Sequence, residues 1–373
     1  MQLSLLQENL APALSQVSRF VATRSQLPIL SNILFTATNG RLKLSATDLD
    51  IGINYWVGAK IDTEGTITIP AKEIAEFISY LPAGKLDLSL NEHNLLVVRS
   101  AKAESTFASA PAVDFPNLPS LADNNTLLLN TQLLIDSVNQ VSFAAATDDS
   151  RPILTAVLWQ LTSTGFKMVA TDGFRLSVKT GLFSQPLPLK ENETVTYLVP
   201  AHSFIEITKL SKNTKTIKAG ATTDGHQFLF VLDDVELISR LVEGDFPDYQ
   251  RIIPQTSPLV ITLDKEEFAQ AVKMSSVFAR NSANVIKIKV GANNLELSAT
   301  TPQVGQNRVE VEARIDGDPL EIAFNYKFLS DFLNVVKGKQ ITIELNQPLT
   351  PGVFKDPAIP DFFHIIMPVR IQD

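Results

Sequence analysis

Leu42-Lys-Leu-Ser-Ala-Thr-Asp48, Phe166-Lys-Met-Val-Ala-Thr-Asp172 and Leu295-Glu-Leu-Ser-Ala-Thr-Thr301 are three versions of one stretch, and their spacing decides the fold. The shared Ala-Thr steps by 124 residues from Thr47 to Thr171 and by 129 to Thr300. Each copy follows a basic loop and an apolar run: Arg24-Ser-Gln-Leu-Pro-Ile-Leu30, Arg151-Pro-Ile-Leu154 and Arg280-Asn-Ser-Ala-Asn-Val285. Downstream, a strand runs into a helix three times, at Thr66–Ile78, Tyr197–Ile207 and Glu321–Leu333. Pro70 and Pro200 stand near two of these helix starts, where a missing N–H costs nothing, and Asn325 takes that place as a cap in the third. A third landmark, Phe115-Pro-Asn-Leu, Phe246-Pro-Asp-Tyr and Ile366-Met-Pro-Val, reads as a closing strand.

A period near one third of a 373-residue chain is a domain, not a solenoid unit. The reading is three similar domains, 1–123, 124–254 and 255–373, with turn-rich linkers at Leu118–Asn125 and Ile253–Pro258. Each opens with a strand and continues into a helix of 3–4 apolar spacing: Leu10, Leu14, Val17; Leu133, Leu134, Val138, Val141; Phe268, Ala271, Val272, Val277. The class is α+β, with two helices and about two small antiparallel sheets per domain.

Composition narrows the chemistry. With no cysteine there is no disulfide framework, thiol nucleophile, Cys-ligated zinc or iron–sulfur cluster. No apolar run is long enough for a transmembrane helix, and the first residues lack the basic and apolar regions of a signal peptide, so the cytoplasm is the expectation. Net charge is −8, so the chain cannot be basic all over, and any meeting with nucleic acid confines positive charge to one face. The second helices and the turns after them carry Lys72, Lys209, Lys212, Lys327, Lys337 and Lys339; the first helices carry Arg19, Arg24, Lys265, Lys273 and Arg280. Glu73, Glu76, Glu206, Glu266, Glu267 and Asp331 share several of these helices, which is what a solvated face also looks like. The sharper alternative is that helices of all three domains face one concave surface.

Catalytic motifs are missing. The histidines at 93, 202, 226 and 364 have no zincin spacing, and there is no P-loop, dinucleotide fingerprint or nucleophile elbow. The pairs Asp48/Asp50, Asp148/Asp149 and Asp233/Asp234 could serve a metal-dependent phosphoesterase, or bond backbone N–H groups in turns. Arg175, in Ala170-Thr-Asp-Gly-Phe-Arg-Leu176, has no counterpart in the other two copies, which singles it out.

Leu27-Pro-Ile-Leu-Ser-Asn-Ile-Leu34, Ala170–Leu176, Leu241-Val-Glu-Gly-Asp-Phe-Pro-Asp-Tyr249, Ala323-Phe-Asn325 and Met367-Pro-Val-Arg370, in this order over the whole chain, resemble the bacterial sliding clamps, the β subunits of DNA polymerase III. The resemblance implies a non-enzyme without cofactor or metal. Three domains per subunit pair head to tail in a homodimeric ring around double-stranded DNA, read without regard to sequence. The ring is placed by a clamp loader and tethers the polymerase catalytic subunit and other replication and repair proteins through Gln-Leu-x-Leu-Phe-type motifs.

Carried over by motif, the partner-peptide pocket is Leu154, Thr171, Gly173, Phe174, Arg175, Leu176, Pro247, Arg251, Ile252, Asn325, Phe328, Leu349, Ile365, Met367, Pro368, Val369 and Arg370. Leu and Phe anchors suit such an apolar cleft, and a soft Met adapts to varied partners; Ile365 and Met367 also read as ordinary strand core. DNA-facing candidates are Arg24, by motif, with Lys72, Lys209 and Lys212 from helix position. Phe107, Val277 and Phe278 are candidates for the apolar part of the subunit contact, or for intradomain core. Phe174 stands where the family commonly has His or Tyr, Ala201-His202 replaces a basic pair, and Gln347–Pro360 is Pro-rich; all three bear on partner or DNA preference. Two further readings stand beside it: the phosphoesterase, and a diverged ring that scaffolds proteins off DNA.

Overall fold

The computed structural model describes the chain apart from residues 24–25, 122–125, 191–192, 213, 303–304 and 371–373. Six α-helices stand among the described residues: α1 (Gln7–Val17), α2 (Ala71–Tyr80), α3 (Thr131–Val141), α4 (Ala201–Leu210), α5 (Lys265–Ala279) and α6 (Tyr326–Val335). Each third of the chain thus carries two. Their apolar spacing places most of the expected positions inside: α1 buries Leu10, Leu14 and Val17, and α5 buries Phe268, Ala271 and Val272, whereas Val277, read as part of the same stripe, is exposed. The Asp264 carboxylate accepts the backbone N–H groups of Glu266 and Glu267 at the start of α5, and Asn325 accepts that of Lys327 at the start of α6.

One four-stranded antiparallel module recurs three times. Its copies run Gly65–Pro70, Asn32–Thr38, Arg41–Thr47, Ile51–Gly58; then Val195–Pro200, Ala156–Leu161, Gly165–Thr171, Arg175–Leu182; then Glu321–Asn325, Val285–Val290, Asn294–Thr301, Gly305–Asp316. Register repeats with order, since Asn32 faces Pro70, Ala156 faces Pro200 and Val285 faces Asn325. The stretches that announce the repeat in sequence are the third strands in this order.

By contacts the described chain forms two compact units, Met1–Thr131 with Glu206–Leu241 and Gln132–Ile205 with Val242–Asp373. The first holds a five-stranded and an eight-stranded sheet, the second a twelve-stranded sheet. The larger sheets run on from one third of the chain into the next. The last strand of the first module, Ile51–Gly58, pairs with Val235–Arg240 from the second third, placing Ile53 opposite Leu237. The last strand of the second module, Arg175–Leu182, pairs with Phe362–Ile366 from the final third, placing Leu176 opposite Ile365. An open sheet edge leaves backbone groups unpaired, and the next domain supplies the missing strand.

The closing-strand reading is corrected. Ile366 ends a strand, but Phe115–Leu118 and Phe246–Asp248 lie outside strands. Pro116 and Pro247 have no N–H for a ladder. The side chains that follow act as plugs instead. The Leu118 Cδ2 lies 3.1 Å from where a Cβ on Gly52 would stand, and Tyr249 is buried among Leu158, Leu176 and Ile365.

Candidate peptide-docking site in the second unit

The site is built around one turn. The Thr171 hydroxyl accepts the Gly173 N–H at 3.0 Å and donates to the Arg175 carbonyl at 2.6 Å. The Asp172 carboxylate accepts the N–H groups of Phe174 and Arg175 at 2.8 and 3.0 Å. Gly173 sits at φ +91°, a left-handed conformation that glycine adopts freely. In the first unit the Thr47 hydroxyl likewise accepts the Leu49 N–H and donates to the Ile51 carbonyl, and the Asp48 carboxylate accepts the N–H groups of Asp50 and Ile51. There a leucine occupies the glycine's place, at φ +84°.

Arg175 leaves this turn as a clamp. Its Nε donates to the Asp172 Oδ2 at 3.0 Å, and its Nη1 pairs with Asp331 of α6. The guanidinium lies 4.6 Å above the Phe328 ring and 5.6 Å from that of Phe143. Two carboxylates and two rings therefore hold Arg175, which fixes the turn to α6. Next to it His364 is fully buried, with Nδ1 2.7 Å from the Ser177 hydroxyl and its ring stacked on Phe332. Burial and the neighbouring Arg175 charge push the His364 pKa well below its ordinary value, so the ring is neutral.

The pocket positions divide into a floor and a rim. Leu154, Thr171, Leu176 and Ile365 are buried; Leu176 and Ile365 belong to one cluster with Tyr249, and Ile153 and Ile252 pack against it. Met367, Pro368 and Val369 are half-buried. The Met367 N–H donates to the Phe174 carbonyl and the Val369 N–H to that of Ala323, each at 2.8 Å, so the C-terminal segment is strapped to the turn and to the strand before α6. Exposed around them are Phe174 (60%), Leu349 (64%), Pro247, Arg370 and Arg251, the last paired with Asp248 at 2.7 Å. Asn325 is occupied as the α6 cap and Phe328 as the seat of Arg175.

Three residues of this cluster were not singled out as site residues from sequence: Asp331, Phe143 and His364. Asp331 follows Phe328 by three residues and so shares its helix face. His364 alternates with Ile365, which puts it on the helix side of the strand, where Phe332 lies.

The other candidates lie elsewhere. Arg24 is outside the described residues. Lys72 and Lys212 are exposed; Lys209 donates to Glu206 at 2.7 Å, and Arg19 pairs with the same carboxylate. Phe107 packs edge-on against Phe77, with ring centroids 5.3 Å apart. Val277 is 51% exposed, and the half-buried Phe278 leans on the core of its unit. Asp48 and Asp148 accept hydrogen bonds within their own turns, and no cluster of three metal-ligating side chains occurs among the described residues.

Known proteins match along the whole chain. Families described as the N-terminal, central and C-terminal domains of the DNA polymerase III beta subunit match residues 1–119, 128–248 and 250–370. The Beta sliding clamp of Caulobacter vibrioides is 31% identical over 100% of both chains, and that of Bacillus subtilis is 28% identical over 99% of this chain and 100% of its own. The crystal structure of the Bacillus subtilis DNA polymerase sliding clamp superposes with a TM-score of 0.93 at 28% identity, covering 100% of each chain. With three repeated domains, the repeated module and these full-length matches, the chain belongs to the beta sliding clamp family, the non-catalytic processivity subunits of DNA polymerase III.

Proposed function

We propose that two copies of this chain close head to tail into a ring around double-stranded DNA. The ring then tethers DNA polymerase and other replication proteins through short apolar peptides. One observation carries the closure. The outer strand of the module is covered in its first two copies by a strand from the next domain. In the third copy, Gly305–Glu312 pairs on one side, with Asn294–Thr301, and the described structure places no strand on its other side. Glu104–Phe107 ends the five-stranded sheet and pairs only with Leu96–Arg99 among the described strands. It is the last strand of its sheet, as Val235–Arg240 and Phe362–Ile366 are the last strands of theirs in sequence. A second copy's Glu104–Phe107 completes the pattern, bringing Phe107 towards Val277 and Phe278. Sedimentation tests this: a mass near twice 40.9 kDa, falling to one chain in Val277→Asp, is the expected result.

The charge balance suits the task. A ring holds DNA by topology, so few phosphate contacts are needed, and Arg24, Lys72 and Lys212 are the proposed ones. Lys209 contributes less, because Glu206 engages it. The proposed domain limits are 1–123, 124–254 and 255–373, and the proposed place of work is the cytoplasm, at replication forks. An ATP-driven loader opens the ring in this reading, and the absence of a P-loop from this chain fits that division of labour. Retention on closed circular DNA that survives salt and is lost on linearisation supports the ring; salt-sensitive binding blind to topology refutes it.

For the peptide, the support is the apolar floor under a rim of Phe174, Leu349 and Met367. Titrating a fluorescent Gln-Leu-Ser-Leu-Phe peptide against wild type and a Phe174→Ser, Met367→Ala variant tests it. Saturable binding lost in the variant is expected. No binding by folded wild type refutes the pocket.

A further inference from the structure

We infer that the peptide-docking surface continues past the C-terminal segment into a polar, cationic concavity, which takes acidic residues flanking the apolar anchors of the partner peptide. This rests on the peptide-docking reading above. The concavity measures about 1090 Å³ and lies on one face of the strands Val285–Val290, Asn294–Thr301 and Gly305–Asp316. Lys287, Ser298 and Arg308 form a cross-strand row on that face, because Lys287 is registered with Ser298 and Ser298 with Arg308. Thr300 lies two residues along from Ser298 and so shares its side. Val369 and Arg370 form a wall. Both residues also belong to the proposed peptide pocket, so a peptide seated there has this concavity beside it.

The lining selects the ligand. The hydroxyls of Ser282, Ser298 and Thr300 and the amides of Gln306 and Asn307 give an apolar anchor little to bury against. Three cations converge on the concavity. Lys287 faces Glu321 at 3.6 Å and Arg308 faces Glu296 at 3.2 Å, while Arg370 makes no ion pair among the described residues. Three positive charges against two negative ones invert the sign of a chain whose net charge is −8. Lys287, Glu321 and Arg308 are exposed and Glu296 is partly so, which keeps both pairs weak, so a ligand carboxylate shares these cations at little cost. The occupant is therefore a run of Asp or Glu next to the apolar motif.

Fluorescent Gln-Leu-Ser-Leu-Phe peptides test this when extended by three acidic residues at either end and compared with serine extensions of equal length. One acidic extension should tighten binding roughly threefold to tenfold over its serine control at low salt. The gain should shrink as salt rises. It should shrink in a Lys287→Ser variant, changed off the strand proposed for the subunit contact, which should sediment as wild type and bind the unextended peptide equally well. Equal affinities for acidic and serine extensions, with normal binding of the unextended peptide, overturn this inference and leave the pocket standing. Competition by single-stranded DNA that removes only the acidic gain, at the same concentration as an acidic peptide, assigns the cations to phosphate and also overturns it. Failure of the unextended peptide to bind overturns both readings.

Discussion

Replacing His364 with asparagine should make the second unit less sensitive to acid, and the size of the effect follows from where the ring sits. The His364 ring is fully buried, its Nδ1 is 2.7 Å from the Ser177 hydroxyl, and Arg175 lies close by. Burial, then the Arg175 charge, lowers its pKa well below the ordinary value. The unfolded chain therefore takes up a proton near pH 6.5 that the folded chain refuses, so stability is whole above that pH and is lost below it. For a ring that stays neutral in the folded chain throughout, the loss between pH 7.5 and 5 reaches its ceiling of about 2 kcal/mol. Asparagine keeps a polar atom near the Nδ1 position for Ser177 but cannot titrate. At pH 7.5 the variant should be less stable by roughly 1–2 kcal/mol, since stacking on Phe332 and the tilted contact with Phe143 are lost. At pH 5 the two proteins should converge. Urea unfolding followed by Trp159 fluorescence in a Trp56→Phe background reports the second unit alone. The other histidines, His93, His202 and His226, are exposed and common to both proteins. So are Asp148, Asp224 and Glu104, whose pKa values are lowered by hydrogen bonds from Ser150, Thr222 and Arg99. Their stabilisation is lost only as pH falls below about 4. Parallel stability profiles for the two proteins from pH 7.5 to 5 would refute the argument.

Three further substitutions probe the turns and straps. Arg175→Met removes the bonds to Asp172 and Asp331 and leaves both carboxylates without their cation; unfolding should be easier by roughly 3 kcal/mol, and a loss under 1 kcal/mol would show the clamp to be ornamental. Leu49→Gly relieves a left-handed leucine at φ +84° that is 47% exposed, so the thermal midpoint should rise by an amount worth about 1 kcal/mol; a fall would mean that the leucine side chain has a packing role. Asp356→Ala leaves the N–H groups of Lys337, Gly338 and Ala358 without their acceptor inside the second unit, costing about 2–4 kcal/mol; faster hydrogen exchange at those three amides is the local signature to look for.

How much of this was legible beforehand depends on the range of the interaction. The threefold repeat was legible because each copy keeps its own local signals, namely the apolar helix spacing, the Ala-Thr strand end and the helix-start residue. The turn at Thr171–Arg175 was legible for the same reason: Thr, Asp and Gly at fixed offsets bond to their own backbone. The fused sheets were not, because pairing Ile53 with Leu237 or Leu176 with Ile365 joins strands more than 180 residues apart, and nothing local in either strand names its partner. Proline-containing segments looked like strands because their apolar residues alternate, yet their missing N–H groups make them plugs rather than ladder members.

Arg175 marks the same boundary inside the site. Its absence from the other two copies pointed to a role of its own, and the motif suggested direct contact with a partner. Within this chain its side chain engages Asp172 and Asp331, with Phe328 beneath it. The consequence concerns specificity. If Arg175 acts by fixing the turn to α6, then the groups that meet a peptide are those the clamp positions: Phe174 on the rim, Met367 bonded to its carbonyl, and the Leu176 and Ile365 floor. Arg175→Lys then separates the two roles. A lysine keeps the charge but cannot bridge both carboxylates while stacking on Phe328. Stability and peptide affinity should fall together in this variant, whereas Phe174→Ser should lower affinity with stability intact. Loss of affinity in Arg175→Lys without any loss of stability would place the guanidinium on the peptide after all.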